Sequence, residues 1–554
     1  MLSACGVSKN QHSAPANEKE ASERFIISGT PEQNKIVIDS STSYRVISAK
    51  HNIYEVSGLN YFEIKNLAPG ISATQNNYFQ VLEKEDLSVE SYLANDNPNP
   101  PANLPPILEG CNLEAEVQPE PVLGVNAEVF QPNSPTMQLG NTIAFTGAES
   151  KPSVEGTGFE VRWELSAPNS SLLELGITTG NELEVKPDAM GLYRLVMLVK
   201  DENQACNVQV AHFMVTANPA LNLDTEGQEP PMIEDLSVFS QLARVEAQES
   251  WNLATGKDKT IAILDTGLNF LHPAIKFNLA VNANEYKQTA DMDDDENGFD
   301  DDVLGWDFIN NDNNPFDDEG HGSHVAGLAA SHIFGLAKDA NILPVKVMNA
   351  AGGSDLATII AGFYYAADNG ADVINASMQR LQGDIPALRD AIEYAISKNV
   401  VVIISAGNDT LDLSLPENQI YPGEIEVDGV INVAAVGVTD SLASYSNFGK
   451  LETDVAAPGG DGNVPLFSLA PVNPRDVQFL GSGGTSMAAP IVAGVAAQML
   501  EINSELAPSQ VREILMNSGS DVPVLSNVVG SGKLLSAKEA VEAAEAMVVS
   551  QPVL

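Results

Sequence analysis

Cysteine is nearly absent: Cys5, Cys111 and Cys206 are the only three in 554 residues. None follows position 206, so no thiol nucleophile is available in the rest of the chain. Cys111 and Cys206 either pair, closing a loop of about 95 residues worth roughly 4 to 5 kcal/mol in the chain-entropy model, or remain two free thiols. Basic residues are also scarce. The 28 lysines and arginines face 75 acidic residues, a formal net charge of −47. Such a surface repels phosphate backbones and anionic lipid, which excludes nucleic acid as a partner. The excess carboxylates read either as a heavily solvated surface or, for a subset, as calcium ligands. No apolar run approaches the roughly 18 to 20 residues that cross a bilayer, so no transmembrane segment is expected.

What is present is too long for one compact core. Residues 24–94 alternate short apolar runs (Phe25-Ile26-Ile27, Lys35-Ile36-Val37-Ile38, Tyr44-Arg45-Val46-Ile47) with polar breaks, as a small α+β unit would. Prolines and asparagines make 95–110 a linker. Residues 111–218 read as all-β, with β-branched and aromatic runs separated by Gly, Pro, Asn and Ser clusters. A second polar linker covers 219–234, and from 235 to 548 apolar strands alternate with amphipathic helices, the pattern of an α/β domain with a parallel sheet. The spacing predicts strands at 260–264, 341–347, 373–376, 400–405 and 430–436, and helices at 354–369, 385–398 and 485–503. Functional groups should gather at the carboxyl ends of those strands.

Three segments of that domain carry chemistry together. Ile263-Leu264-Asp265-Thr266-Gly267 ends an apolar strand on an aspartate, which alone would be a turn residue. Gly320-His321-Gly322-Ser323-His324-Val325-Ala326-Gly327 opens a small-residue helix on a histidine. Gly483-Gly484-Thr485-Ser486-Met487-Ala488-Ala489-Pro490 places a serine at a helix start whose first turn tolerates Pro490. Alone, that serine would be an N-cap. A serine hydroxyl becomes a nucleophile when an imidazole takes its proton and a carboxylate orients the imidazole, and these segments supply all three groups.

The order Asp, His, Ser and the motifs around them resemble the subtilisin-like serine proteases over roughly residues 235 to 545. Ile404-Ser405-Ala406-Gly407-Asn408, Ala443-Ser444-Tyr445-Ser446-Asn447-Phe448-Gly449 and Asp454-Val455-Ala456-Ala457-Pro458-Gly459 extend the resemblance. It implies Asp265 as orienter, His321 as general acid/base, Ser486 as nucleophile, and Asn408 with the Ser486 backbone N–H as oxyanion hole. It implies Ser377, Met378, Gln379, Ala406 and Gly407 as substrate-binding residues and His324 as a packed structural residue. No cofactor is required for that catalysis. The substrate-pairing strand departs from the family's Ser-Leu-Gly, since Gln379 replaces the glycine and narrows the space beside a bound peptide. The segment 331–335 is shorter than the loop that builds the high-affinity calcium site of subtilisins, so that site is expected to be missing.

A different calcium site is expected between the Asp265 and His321 motifs. Counted from Asp293, the acidic run puts Asp293, Asp295 and Asn297 at loop positions 1, 3 and 5 and Gly298 at 6, but Leu304 holds position 12 where an EF-hand needs a bidentate glutamate. A full EF-hand is therefore rejected, and structural Ca²⁺ on Asp293, Asp295 and Asn297 is the remaining reading. The run Leu67 through Tyr78 resembles the closing strand of a subtilase prodomain, and the stretch Gly191 through Asp201 the last strands of a PKD-type or immunoglobulin-like sandwich. Leu2-Ser3-Ala4-Cys5-Gly6 resembles a bacterial lipobox with Cys5 as the lipidated residue and 1–23 as tether. A lipobox is normally preceded by a charged and apolar signal region, whereas four residues stand before Cys5.

The expected protein is thus an α/β subtilisin-like parallel sheet flanked by helices, preceded by an α+β prodomain and an all-β sandwich. The expected function is that of a secreted or surface-attached serine endopeptidase of the extracellular space or cell envelope, with an outer-membrane lipoprotein as one form. Its partners would be protein or peptide substrates, its own pro-segment as inhibitor, and a lipid anchor. The competing reading is a catalytically silent subtilase fold serving as a surface binding or scaffold protein.

Overall fold

The computed structural model describes residues 236–286, 293–378, 385–423, 425, 427–461, 464–469 and 479–550, together with shorter segments between 24 and 216. Cys5, Gln379 and both expected linkers lie outside the described residues.

The C-terminal domain is built on a nine-stranded sheet. Its inner strands are β1 (Thr260–Asp265), β2 (Asn341–Lys346), β3 (Val373–Ala376), β4 (Val401–Ser405), β5 (Val430–Val436) and β6 (Val455–Pro458), all parallel, in the spatial order β2-β1-β3-β4-β5-β6. All five strands expected from the apolar runs are present. The sequence reading missed β6 as a strand because Asp454 through Gly459 registered there only as a family motif.

Strands buried on both faces need apolar side chains at every position, and these have them. Along β1, Ile261 and Ile263 join a core shared with helices α1 (His321–Ala330) and α4 (Thr485–Ile502). Ala262 and Leu264 join the opposite core, under α2 (Leu356–Asp368) and α3 (Pro386–Ser397). The chain runs from β1 to β2 on one side and returns to β3 on the other, so β1 is where the strand order reverses. In an open parallel sheet, a crevice forms outside the carboxyl ends at that point. Asp265 is the last residue of β1.

One helix corrects the hydropathy reading. Thr485–Ile502 is 18 residues long and apolar enough to cross a membrane by length and composition, but 83% of it is buried inside the protein. It passes that test because it is the domain's central helix, surrounded by side chains on all faces.

Two smaller units precede this domain. Residues 24–75 form a four-stranded antiparallel sheet with the helix Pro31–Ser40 on one side. Ile27, Val37 and Val56 make that unit's own core, whereas Ile26 and Ile53 on the other face join the core of α2 and α3. The strand Tyr78–Phe79 then pairs antiparallel with Ser354–Asp355, immediately before α2. Residues 124–216 form two sheets, of five and three strands, around buried Phe145 and Trp163. Cys111 and Cys206 are joined there as a disulfide, with their Cα atoms 5.6 Å apart.

Candidate active site

Asp265 is fully buried at the end of β1. Its Oδ1 accepts the Thr266 N–H at 2.7 Å and lies 2.8 Å from His321 Nδ1. Glycine makes this approach feasible: a Cβ at Gly322 would stand 2.2 Å from the Gly267 carbonyl, so strand end and helix start can touch only without side chains. The loop before His321 is tied to the same strand end. Asp317 accepts the Thr266 hydroxyl at 2.8 Å, the Gly320 N–H at 2.7 Å and, on its other oxygen, the Ser323 hydroxyl at 2.6 Å. Buried Lys346 donates to the Thr266 carbonyl at 2.6 Å, Asp318 at 2.7 Å and the Met348 carbonyl at 2.9 Å.

These charges set the chemistry of His321. Its partial burial pulls the imidazole pKa down, but the Asp265 charge and hydrogen bond, followed by Glu319 and Asp317, outweigh that and push it up to about 9. His324, three residues on, is the opposite case. Burial and the neighbouring His321 lower it to about 4, and its Nε2 donates to the Leu480 and Leu466 carbonyls at 3.0 and 3.2 Å. It is a neutral packing residue.

Ser486 is 9% exposed in the first turn of α4. Its hydroxyl donates to the Ser377 carbonyl at 3.3 Å. Its backbone N–H has no acceptor among the described residues. Asn408, on the loop after β4, turns its Oδ1 to the Thr485 N–H and Thr485 hydroxyl, both at 2.9 Å, which leaves Nδ2 as the outward donor. Thr485 Oγ1 in turn accepts the Gly407 N–H at 3.0 Å, locking the loop. Ala406 is buried beneath, its carbonyl held by Asn447 Nδ2 at 2.9 Å. Ser377 and Met378 follow the end of β3, both buried.

Pro490 corrects a local expectation. It is not in the first turn but inside the helix, the sixth residue of α4. There it removes the N–H that would have bonded the Ser486 carbonyl four residues back.

The acidic insertion is organised differently from a linear ligand count. Glu285, Asp295 and Asp302 each bring one carboxylate oxygen within 4.8 Å of the others. Asp293 instead accepts the Asn297 and Gly298 N–H groups at 3.0 and 2.8 Å, and the Asn297 amide donates to Asp302 at 3.0 Å. Of the three residues singled out by spacing, Asp295 is one of the clustered carboxylates, Asn297 reaches the cluster through its amide on Asp302, and Asp293 accepts from the turn that presents them. Glu285 comes from a turn ahead of the acidic run, and no sequence spacing links it to Asp302. Its Oε2 is buried without a hydrogen-bond partner, and burial raises Asp302 to about 6. Such a set of oxygen donors fits a hard cation such as Ca²⁺.

Residues 256–532 match the model of the subtilase family, half of the chain. The chain belongs to the subtilase family. Its C-terminal domain is accordingly a serine-type endopeptidase fold. Thermitase of Thermoactinomyces vulgaris is 32% identical over 285 residues, covering 50% of this chain and 87% of that protein. A thermophilic serine proteinase of a Bacillus species is 34% identical over 45% of this chain and 54% of its own length. The cell wall-associated protease of Bacillus subtilis is 38% identical over 40% of this chain and 23% of its own. Among solved structures, a protease from Pseudoalteromonas arctica superposes with a TM-score of 0.47 at 27% identity, over 57% of this chain and 100% of that one. The units before residue 256 lie outside the family match. Within the subtilase domain, the supports Asp317 and Lys346 lie outside the motifs that the sequence singles out.

Proposed function

We propose that this subtilase hydrolyses peptide bonds of extended protein or peptide segments through an acyl-enzyme on Ser486. The observation that carries this reading is the 2.8 Å contact of His321 Nδ1 with a fully buried Asp265. It leaves His321 Nε2 as the free base of the pair. Ser486 Oγ attacks the scissile carbonyl carbon while its proton passes to Nε2. The carbonyl oxygen becomes an anion between Asn408 Nδ2 and the Ser486 N–H, two donors already oriented before substrate arrives. Collapse transfers the proton from Nε2 to the leaving amine, and a water molecule then repeats the sequence to release the acid. Asp265 keeps the Nδ1 proton in place throughout and stabilises the imidazolium.

The unit of residues 24–79 acts, on this reading, as an intramolecular inhibitor. Its support is the sheet packed on α2 and α3 and the pairing of Tyr78–Phe79 along the rim strand at Ser354–Asp355. Residues 111–218 serve as a disulfide-braced spacer or binding module. Glu285, Asp295 and Asp302 would hold a structural Ca²⁺, supplying cohesion to the loop and no step of the reaction. A disulfide and a cell wall-associated relative support an extracellular or cell-envelope location. Attachment through a lipidated Cys5 is tested by detergent partitioning of Cys5→Ala.

A fluorophosphonate probe tests the catalytic reading. It should label the full chain after release of the N-terminal unit and spare Ser486→Ala; absence of labelling in the processed wild type overturns it.

A further inference from the structure

Two hydrogen bonds run in opposite directions between Ser377 and Ser486. The Ser486 hydroxyl donates to the Ser377 carbonyl at 3.3 Å, and the Ser377 hydroxyl donates to the Ser486 carbonyl at 3.0 Å. The second bond answers a vacancy in the helix. Residue 490 of α4 should donate its N–H to the carbonyl of residue 486, but it is proline and has none. A carbonyl left unpaired in a buried helix start would be costly, and buried backbone acceptors are almost always satisfied. Ser377 fills the gap from another element, the end of β3.

The direction of that bond is determined. Asn375 is buried, and its Nδ2 donates to Ser377 Oγ at 2.9 Å. A carbonyl can only accept, so the Ser377 hydroxyl proton goes to the Ser486 carbonyl while the Asn375 amide N–H occupies an acceptor site of the same hydroxyl. Asn375, Ser377 and Ser486 thus form a one-way relay from the sheet to the nucleophile's own peptide. A proline ring also crowds the carbonyl four residues back, tilting it outward.

Resting on the hydrolase reading above, we infer that the Ser377 hydroxyl is a positioning residue for Ser486, required because Pro490 withholds the helical donor that would otherwise hold it. On that reading its backbone would face the bound peptide, and its side chain fixes the register between that segment and the nucleophile. Displacement of a reacting atom by about 1 Å can cost on the order of a hundredfold in rate, so this single bond has leverage on the chemical step.

The test is a double-variant cycle in the full chain: Ser377→Ala, Pro490→Ala and both together. Ser377→Ala should lower kcat roughly ten- to a hundredfold with KM within about twofold, because transition-state alignment is lost while the binding backbone stays. Pro490→Ala gives residue 490 an N–H, so in the double variant the helix supplies the missing donor and most of kcat returns. Additive losses in a folded double variant, or an unchanged kcat in Ser377→Ala, overturn the inference. The same cycle read as thermal unfolding on a Ser486→Ala background separates it from the hydrolase reading. There, Pro490→Ala should restore the melting temperature lost in Ser377→Ala, whether or not the wild type cleaves anything. Absence of that rescue defeats the inference, whereas absence of fluorophosphonate labelling in the wild type defeats the hydrolase reading.

Discussion

His321 Nδ1 meets one oxygen of the Asp265 carboxylate at 2.8 Å, while the other oxygen, Oδ2, is buried without a hydrogen-bond partner. One oxygen is therefore committed to two N–H groups, those of Thr266 and His321, and the negative charge is concentrated beneath the imidazole. Among the described residues, the carboxylate takes no hydrogen bond besides these two. Replacing it should leave the fold intact and remove the orientation of the ring. Asp265→Asn should cost about 10⁴-fold in kcat through the wrong tautomer, with KM little changed. Steady-state kinetics beside an unchanged unfolding temperature checks this.

The carboxylates around His321 make a prediction about pH. The general base works only as neutral imidazole, and its pKa is held up to about 9 by Asp265, Glu319 and Asp317 against the effect of burial. Activity should thus rise with pH through an alkaline limb. Glu319→Gln removes one of those charges, so the limb should move to lower pH and activity at neutral pH should increase. A pH profile of kcat/KM for wild type and variant reads both shifts, and an unmoved limb would refute the assignment.

Calcium should stabilise the domain without entering the reaction. Binding to the folded state alone contributes about 2.7 kcal/mol at a free concentration of 100 times Kd. Chelation should lower the unfolding temperature, and Glu285→Gln should abolish that dependence while Asp293→Asn weakens it only slightly. Because Asp302 titrates near 6 and must be ionised to ligate, the calcium effect should grow as pH rises through that value and fade below it. Scanning calorimetry with and without chelator measures each case.

Release of the N-terminal unit should depend on Asp368. This carboxylate at the end of α2 meets Lys50 Nζ at 2.8 Å and His51 Nε2 at 3.0 Å, and accepts the Tyr394 hydroxyl at 2.6 Å. Burial pulls its pKa up, but the hydrogen bonds from Lys50, Tyr394 and His51 outweigh it and hold the carboxyl below its usual value. The His51 ring also stacks on Tyr364 at 4.2 Å. Asp368→Ala should remove the carboxylate that Lys50 and His51 meet at the helix end and speed the appearance of probe-reactive Ser486 severalfold. Equal activation rates in wild type and variant would remove Asp368 from that interface.

The sequence made the centre of the domain legible for two physical reasons. Strands buried on both faces must be apolar throughout, so β1 to β5 stood out as short apolar runs, and the residues at their carboxyl ends could be found by position. Asp265, His321, Asn408 and Ser486 are embedded in local motifs whose small residues permit close approach, as Gly322 against Gly267 shows. By contrast, Glu285 and Asp302 are 17 positions apart and meet only because a turn folds the acidic run back on itself. Counting along that run selected Asp293, whose carboxylate accepts the Asn297 and Gly298 N–H groups of the turn, and did not reach Glu285 or Asp302.

Sequence alone determined five of the six inner parallel strands and the chemical groups at their ends, since periodicity and motif composition are local properties of the chain. Tertiary structure decided what those groups face. Pro490 is visible in the sequence, but its missing N–H matters only because the fold brings the Ser377 hydroxyl to the Ser486 carbonyl across 109 residues. The imidazole's elevated pKa likewise depends on carboxylates gathered from two segments around one ring. Hydrogen bonding and electrostatics act through space at a few ångströms, and only the folded chain sets those distances.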